Sequence, residues 1–168
     1  LNNNAIVGTV MSNLGLRKFC ESENINFVAT KVGDRYVLEE MLDKDYVIGG
    51  EQSGHVIFKE YANTGDGELT SLMVLNILSE RKCKLSELAS IMDKYPQVLV
   101  NVNVTKEGKT SFGEDAEINA LIKKYEEELN GDGRILIRAS GTENLIRVMI
   151  DGKNTEEISR MANDIADL

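Results

Sequence analysis

Short β-rich runs alternate with helix-like segments over the first 94 residues, and this alternation constrains the fold more than any other feature of the sequence. The strand-like runs span residues 5–11, 25–31, 46–48 and 55–59. The helix-like segments span residues 12–22, 34–42, 66–82 and 86–94. Such alternation is typical of an α/β domain in which helices cover a mixed, mainly parallel sheet. We therefore expect this architecture for residues 1–94.

The only proline of the chain, Pro96, marks a candidate domain boundary, because proline disfavours the helical region for the residue before it. Beyond it the pattern predicts a strand at 98–104, a turn at 106–109, a helix at 115–129, strands at 134–138 and 145–150, and a last helix from Asn154. This order indicates a small α+β domain. We expect that domain to span residues 97–168.

Composition and charge limit the classes of partner. The chain has 42% hydrophobic and 28% charged residues and no apolar run of roughly 18 residues, so we expect a globular protein without a membrane span. Its net charge of −9 argues against a nucleic-acid partner, since a phosphate backbone needs a basic face. The negative net charge does not exclude a small phosphorylated ligand, because a few converging cations are enough to bind it.

The termini and the cysteines bear on cellular context. Cys20 and Cys83 lie in helix-like segments without metal-binding spacing. Two buried thiols in a reducing cytoplasm are the favoured interpretation, and a disulfide is the alternative. The N-terminus shows no secretory signal, so we expect a cytoplasmic protein. Because the chain starts with Leu1 rather than Met, we expect it to begin within a larger polypeptide.

The segment GGEQSGH at residues 49–55 is the first candidate site. Three glycines within six residues allow a sharp turn and a close approach to a ligand. The carboxylate, amide and hydroxyl between them can bind adjacent sugar hydroxyls. His55, the only histidine of the chain, ends the segment. A plain turn between two strands is the alternative interpretation.

The segment RASGTEN at residues 138–144, with Arg147 beyond it, is the second candidate site. Two arginines flank a turn that offers hydroxyls and backbone N–H groups, which is the composition of a phosphate-binding loop. Arg147 interrupts an otherwise apolar strand, so we expect its charge to face a partner. A hairpin with solvated arginines is the alternative.

Two further turns precede helices. TKVGDRY carries Lys31 and Arg35 at a helix N-terminus, where anions are favoured, although Asp34 could simply cap that helix. In TGDG the favoured role of Asp66 is structural, as the N-cap of the following helix. A single aspartate without companion acids does not make a magnesium site.

Five segments, taken together, resemble the α-D-phosphohexomutase family. They are VGTVMSNLGL, TKVGDRYVLEEM, GGEQSGHVIF, TGDGELTSL and RASGTENLIRVM, and the resemblance runs from Ile6 to about Ile165. Gln52 and the VGDRYV segment are more similar to the phosphoglucosamine mutase branch than to phosphomannomutases or phosphoglucomutases. Asn144 departs from the proline usual in the family, which loosens the loop but leaves both arginines intact.

The resemblance implies roles for particular residues. Substrate-binding residues would be Glu51, Gln52, Ser53, Gly54, Arg138, Ser140, Gly141, Thr142 and Arg147. Lys31 would take a cationic or proton-handling role near the transferred group, with His55 and Arg35 assisting. Because Ser53 and Ser140 belong to binding loops, neither is expected to be the nucleophile.

The resemblance also implies what lies outside this chain. Members of the family have four domains, of which residues 1–94 and 97–168 would be the third and fourth. The phosphoserine motif and the aspartate-rich Mg²⁺ loop of the first two domains have no counterpart here, so no metal ligand is expected within this sequence. The missing N-terminal domains would be its partners, and a homodimer of the full-length enzyme is compatible with this.

The implied reaction interconverts glucosamine 6-phosphate and glucosamine 1-phosphate through a 1,6-bisphosphate intermediate, as a step towards amino-sugar and cell-wall precursors. The chain alone is expected to bind phosphosugar but not to turn it over. Two alternatives remain: a fragment of a phosphomannomutase or phosphoglucomutase, and a non-catalytic phosphosugar-binding module.

Overall fold

The chain folds into two compact units that divide after Lys94. A computed structural model describes residues 2–168, and the second unit is Tyr95–Leu168. The division lies beside Pro96, which cannot continue a helix and restricts the residue before it.

The first unit contains a four-stranded sheet with four helices. Its elements are β1 Ala5–Thr9, α1 Leu14–Ser22, β2 Asn26–Thr30, α2 Asp34–Asp43, β3 Ile48–Gly50, β4 Val56–Phe58, α3 Gly67–Arg81 and α4 Leu85–Ala89. The strand order is β2-β1-β3-β4, with β1 parallel to β2 and β3, and β4 antiparallel to β3. The expectation of a mixed, mainly parallel sheet with helices is therefore confirmed.

One face of this sheet is closed and the other is open. On the closed face Val7 and Ile57 pack with Val37 and Met41 of α2, and all four side chains are buried. On the opposite face the strand side chains Ile6, Ile48 and Val56 are only partly buried. A groove of about 480 Å³ lies there, lined by residues that include Ile48 and Val56.

Helix α3 is apolar on more than one side, yet none of its fifteen described residues is buried. Asp66 caps it as expected, accepting a hydrogen bond from the Leu69 N–H at 2.9 Å. Leu72 and Leu75 are 63% and 60% exposed. Within residues 2–168, no helix combines the length and the apolarity needed to cross a membrane.

Several boundaries in the first unit differ from the sequence expectation: the first strand, expected at 5–11, ends at Thr9, and the third, expected at 46–48, is Ile48–Gly50, so the first two glycines of GGEQSGH lie in a strand. The first helix is capped by Asn13 rather than Ser12, and the Ser12 hydroxyl instead accepts a hydrogen bond from the Thr9 N–H. The helix expected at 86–94 ends at Ala89, because the Ser90 N–H closes a tight last turn onto Glu87. The capping residue is determined by the direction of its side chain, and the spacing of apolar residues gives no information on that direction.

The second unit is a three-stranded antiparallel sheet with helices. Its elements are β5 Gln97–Asn103, α5 Lys106–Ser111, α6 Ala116–Leu129, β6 Gly133–Ala139, β7 Leu145–Gly152 and α7 Thr155–Ala166, in strand order β5-β7-β6. Apolar residues of α6 and α7 form the core with β7; among them are Tyr125, Ile150 and Met161. This confirms the small α+β architecture.

Residues 106–109, expected to form a turn, begin helix α5 instead. The Thr105 hydroxyl accepts a hydrogen bond from the Gly108 N–H and so caps the helix. The helix forms although a glycine at its third position costs roughly 1 kcal/mol relative to alanine.

A buried polar link joins the three strands of the second unit. Asp151 of β7 is fully buried and lies opposite Gln97 of β5 and Arg134 of β6. Its two carboxylate oxygens accept hydrogen bonds from the Gln97 amide and the Arg134 guanidinium, both at 2.6 Å. The charge on Asp151 is thus compensated within the sheet rather than by water.

The two cysteines are free thiols in different environments. Cys20 is fully buried, and desolvation raises the pKa of its thiol. Cys83 is only partly buried, in the link between α3 and α4, so the expectation of two buried thiols holds for Cys20 alone.

We expect a thiol reagent such as dithionitrobenzoate to label Cys83 rapidly in the native chain and Cys20 only after unfolding. The reason is that the thiolate is the reactive species and burial disfavours it. Release of one chromophore per chain without urea, and two with urea, checks this. Labelling of a native Cys83→Ser variant at the same rate would contradict it.

Candidate functional site

Three loops of the first unit meet at the carboxyl end of its parallel strands. They are the turn before α2, the β3–β4 loop at 51–55, and the turn before α3. The Gly33 N–H donates a hydrogen bond to Oε1 of Glu51 at 2.9 Å. Nε2 of His55 lies 3.6 Å from Oδ2 of Asp34. Ligands of open α/β sheets bind outside this end of the strands, so the location suits a binding site.

The β3–β4 loop is a tight turn that depends on glycine. The Glu51 N–H donates to the His55 carbonyl at 2.9 Å, and the Gly54 N–H donates to the Glu51 carbonyl at 3.0 Å. Gly54 has a φ of +93°, and a Cβ at Gly50 would lie 2.7 Å from the His55 carbonyl oxygen. The turn leaves Gln52 and Ser53 exposed at its tip and Glu51 half-buried at its base.

The two cations of the preceding loop are placed differently. Lys31 is exposed, with its Nζ 5.9 Å from the centre of the Tyr36 ring. Arg35, whose side chain is 80% exposed, donates from Nε to Glu39 along α2 at 2.7 Å. That hydrogen bond raises the pKa of Arg35. The structure therefore pairs Arg35 with its own helix rather than with the Glu51 loop.

The second unit holds its candidate loop between β6 and β7. Ser140 is 3% exposed. Its N–H donates to the Leu145 carbonyl at 2.9 Å, and its hydroxyl accepts from the Glu143 N–H at 3.3 Å. Gly141 and Thr142 are exposed at the tip. A buried serine thus ties the loop together and presents its tip to solvent.

Two arginines stand side by side at the base of this loop. Arg138 and Arg147 are direct cross-strand partners, an arrangement that like charges disfavour. Burial lowers the pKa of Arg138, and the neighbouring Arg147 lowers it further. Glu143 offsets part of the charge, since its carboxylate lies 3.3 Å from a terminal nitrogen of Arg147. Nε of each arginine is buried without a hydrogen-bond partner among the described residues. An anion bound beside the two guanidinium groups would offset their remaining positive charge.

Lys109 is a further cation at this loop that the sequence pattern did not single out. Its Nζ donates to the Glu143 carbonyl at 2.8 Å, 34 residues away along the chain. Only the fold of α5 brings it there, so the spacing gave no signal. In the first unit the structure likewise brings Asp34 and Gly65 next to the candidate loop, although the sequence suggested only capping roles for their turns.

The described part of the chain does not form a metal site. Within residues 2–168, no group of three or more His, Cys, Asp and Glu side chains lies close enough together to hold a metal ion. Both candidate loops are instead built for hydrogen bonding and for anions.

Comparison with known proteins decides the family. Residues 1–95 match the model described as phosphoglucomutase/phosphomannomutase, alpha/beta/alpha domain III, and residues 99–168 match phosphoglucomutase/phosphomannomutase, C-terminal domain. The chain belongs to the phosphoglucomutase/phosphomannomutase family. The resemblance to α-D-phosphohexomutases, and to their third and fourth domains, is confirmed.

Individual relatives within this family are similar over the whole chain. The phosphoglucosamine mutase of Clostridium tetani is 55% identical over 100% of this chain and 38% of its own length. The chain thus spans less than two fifths of that relative.

Solved structures of the family show the same fold. Aspergillus fumigatus N-acetylphosphoglucosamine mutase is 21% identical, with a TM-score of 0.79 over 97% of this chain and 37% of that one. A second structure of the Aspergillus enzyme, in complex with GlcNAc-6P and magnesium, is 20% identical, with a TM-score of 0.75 over 98% and 41% of the two chains.

Proposed function

We propose that this chain is the C-terminal part of a phosphoglucosamine mutase, which interconverts glucosamine 6-phosphate and glucosamine 1-phosphate. The observation that carries the proposal is the 55% identity to a curated phosphoglucosamine mutase along the entire chain. The two loops described above fit a phosphorylated sugar, since one offers sugar-binding groups and the other an arginine pair whose charge a single carboxylate only partly offsets.

The proposed reaction is a pair of phosphoryl transfers. A phosphoserine in the part of the enzyme outside this chain transfers its phosphoryl group to the 1-oxygen of glucosamine 6-phosphate, giving the 1,6-bisphosphate. After the intermediate reorients, the 6-phosphoryl group returns to the serine and glucosamine 1-phosphate leaves. Chemistry of this type depends on positioning and on charge neutralisation more than on covalent participation of the protein.

In this proposal the first unit binds the sugar. Glu51 accepts hydrogen bonds from sugar hydroxyls, while Gln52, Ser53 and Gly54 contact the same hydroxyls from the exposed turn. Hydroxyl recognition suits both orientations of the substrate, because it does not depend on which end carries the reacting phosphate. Lys31 and His55 handle charge and protons near the transferred group, with Arg35 released from Glu39 to assist.

The second unit binds the phosphate that does not react. Arg138 donates charge-assisted hydrogen bonds, and Arg147 supports it from the neighbouring strand. The Ser140 loop adds backbone N–H groups at Gly141 and Thr142 and the Thr142 hydroxyl. The cost of holding two like charges together in the free protein is then recovered when an anion binds.

Magnesium enters the proposal only through residues elsewhere in the enzyme. A related Aspergillus enzyme was crystallised with magnesium, but the described residues of this chain do not fit a metal site. No step assigned to this chain depends on the ion.

The test is a mutase assay on the full-length polypeptide that contains this sequence. We expect a higher kcat/KM with glucosamine 6-phosphate than with mannose 6-phosphate or glucose 6-phosphate, and no turnover by the 168-residue chain alone. The phosphorylated enzyme and the bisphosphate are checked by ³¹P NMR. A preference for mannose or glucose 6-phosphate would move the chain to the other branch of the family. Binding without turnover by the full-length protein would identify a non-catalytic phosphosugar-binding module.

A further inference from the structure

The imidazole of His55 is enclosed by two turns that the sequence assigned to helix capping. One is the turn before α3. A Cβ added at Gly65 would overlap Cδ2 and Nε2 of the His55 ring, with Cγ also within 2.6 Å. Gly65 does not have a positive φ, so the backbone alone does not require glycine there. The ring is what excludes a side chain at this position.

Hydrogen bonds hold the main chain in place on both sides of this contact, at the turn before α3 and at His55. Asp66, the next residue, donates its N–H to the Val56 carbonyl at 3.3 Å while its carboxylate caps α3. The His55 carbonyl accepts from the Glu51 N–H at 2.9 Å. A side chain at Gly65 therefore has to rotate the imidazole rather than shift the main chain.

Asp34, the first residue of α2, approaches Nε2 of the ring. Its Oδ2 lies 3.6 Å from Nε2 of His55. Nε2 itself is buried, without a hydrogen-bond partner among the described residues, although the whole side chain is 42% exposed. The near-equal distances from that Cβ to Cγ, Cδ2 and Nε2 place Gly65 against one face of the ring, and because Nε2 is buried, Nδ1 is the ring nitrogen left to meet a ligand.

We propose that Gly65 and Asp34 are positioning residues that hold the His55 imidazole with its Nδ1 edge towards the ligand side of the Glu51 loop. A carboxylate beside Nε2 favours the N–H at that nitrogen, because the environment of one ring nitrogen sets the protonation of the other. Nδ1 is then the atom that accepts a proton or a hydrogen bond from a substrate oxygen. The catalytic part of this inference rests on the proposed function. The orientation of the ring can be tested separately, by measurements that do not require enzymatic activity.

The first test uses NMR on the full 168-residue chain, in which His55 is the only histidine and gives one set of imidazole signals. Gly65→Ala is expected to shift the Cδ2–H signal, because the methyl group would lie within 2.3 Å of Cδ2 and displace the ring. Gly67→Ala is the matched control, since a Cβ there meets nothing within 4 Å. Unchanged imidazole signals in Gly65→Ala, with a native thermal transition, would overturn the proposal.

The ¹⁵N shifts of the same imidazole test Asp34. In the wild-type chain the Nε2–H tautomer is expected to dominate. In Asp34→Asn its share is expected to fall towards that of free histidine. Asp43→Asn, at the exposed end of α2, is the control and is expected to change nothing. Equal tautomer ratios in all three proteins would remove Asp34 from the assignment.

The second test uses kinetics of the full-length enzyme. Gly65→Ala is expected to lower kcat by a factor on the order of 10², with little change in KM, because a displaced catalytic group costs rate more than binding. Gly67→Ala is expected to keep the wild-type kcat. In a His55→Ala background, Gly65→Ala is expected to cause no further loss, since the ring is gone. An equal loss in both backgrounds would contradict positioning through His55. Absence of mutase activity in the wild-type enzyme would instead refute the proposed function and leave the NMR result standing.

Discussion

Replacing Arg138 with alanine is expected to weaken phosphosugar binding by the full-length enzyme by about 2 kcal/mol or more, a factor of roughly 30. The substitution removes the charge-assisted donor that the structure holds partly buried beside Arg147. It also removes the repulsion between the two arginines, so the free protein should not lose stability.

Calorimetric titration with glucosamine 6-phosphate measures the effect on binding, and steady-state kinetics measures its effect on KM and kcat. Lys123→Ala, an exposed cation of α6, is the control for a simple change of net charge. Unchanged binding and kinetics in Arg138→Ala would refute the assignment of the β6–β7 loop to phosphate. A matching loss in Lys123→Ala would show that the effect comes from overall charge.

Replacing Asp151 with alanine is expected to destabilise the second unit by about 3–5 kcal/mol, because the Arg134 guanidinium would remain in the sheet without its carboxylate. The Gln97 amide would lose its partner as well. Urea denaturation followed by circular dichroism gives the free energy of unfolding.

The comparison variant is Asp132→Ala, which breaks the pair between Asp132 and Lys153 at the surface. Exposed pairs contribute about 0–1 kcal/mol, so this variant should unfold close to the wild type. If the two variants lost the same stability, the buried link would not be what holds the three strands in register.

Local features of the sequence were enough to predict most of the fold. The strands of both units are short apolar runs, and Asp66, Asp115 and Asn154 each cap the helix that follows them, as their side-chain chemistry requires. Both candidate loops could also be found from composition, because neither glycine-flanked acids nor paired arginines are needed for an ordinary turn.

Contacts between distant residues could not be predicted in this way. The Lys109–Glu143 hydrogen bond joins two segments whose proximity depends on how α5 packs. Gly65 contacts His55 from the turn whose next residue, Asp66, caps α3. Because capping was a sufficient reason for the TGDG sequence, the contact with His55 could not be inferred from it. Arg35 shows the opposite case, since a cation placed near the site by sequence is held by Glu39 in the structure.

The exposed leucines of α3 have a consequence for the chain in solution. Leu72 and Leu75 form an apolar stripe on the surface of the chain, whose net charge is −9. The negative charges of two copies repel each other, but only over distances up to about the Debye length. That length falls from about 30 Å at 0.01 M ionic strength to about 3 Å at 1 M. Added salt should therefore promote self-association of the 168-residue chain, by removing repulsion while leaving the apolar attraction intact.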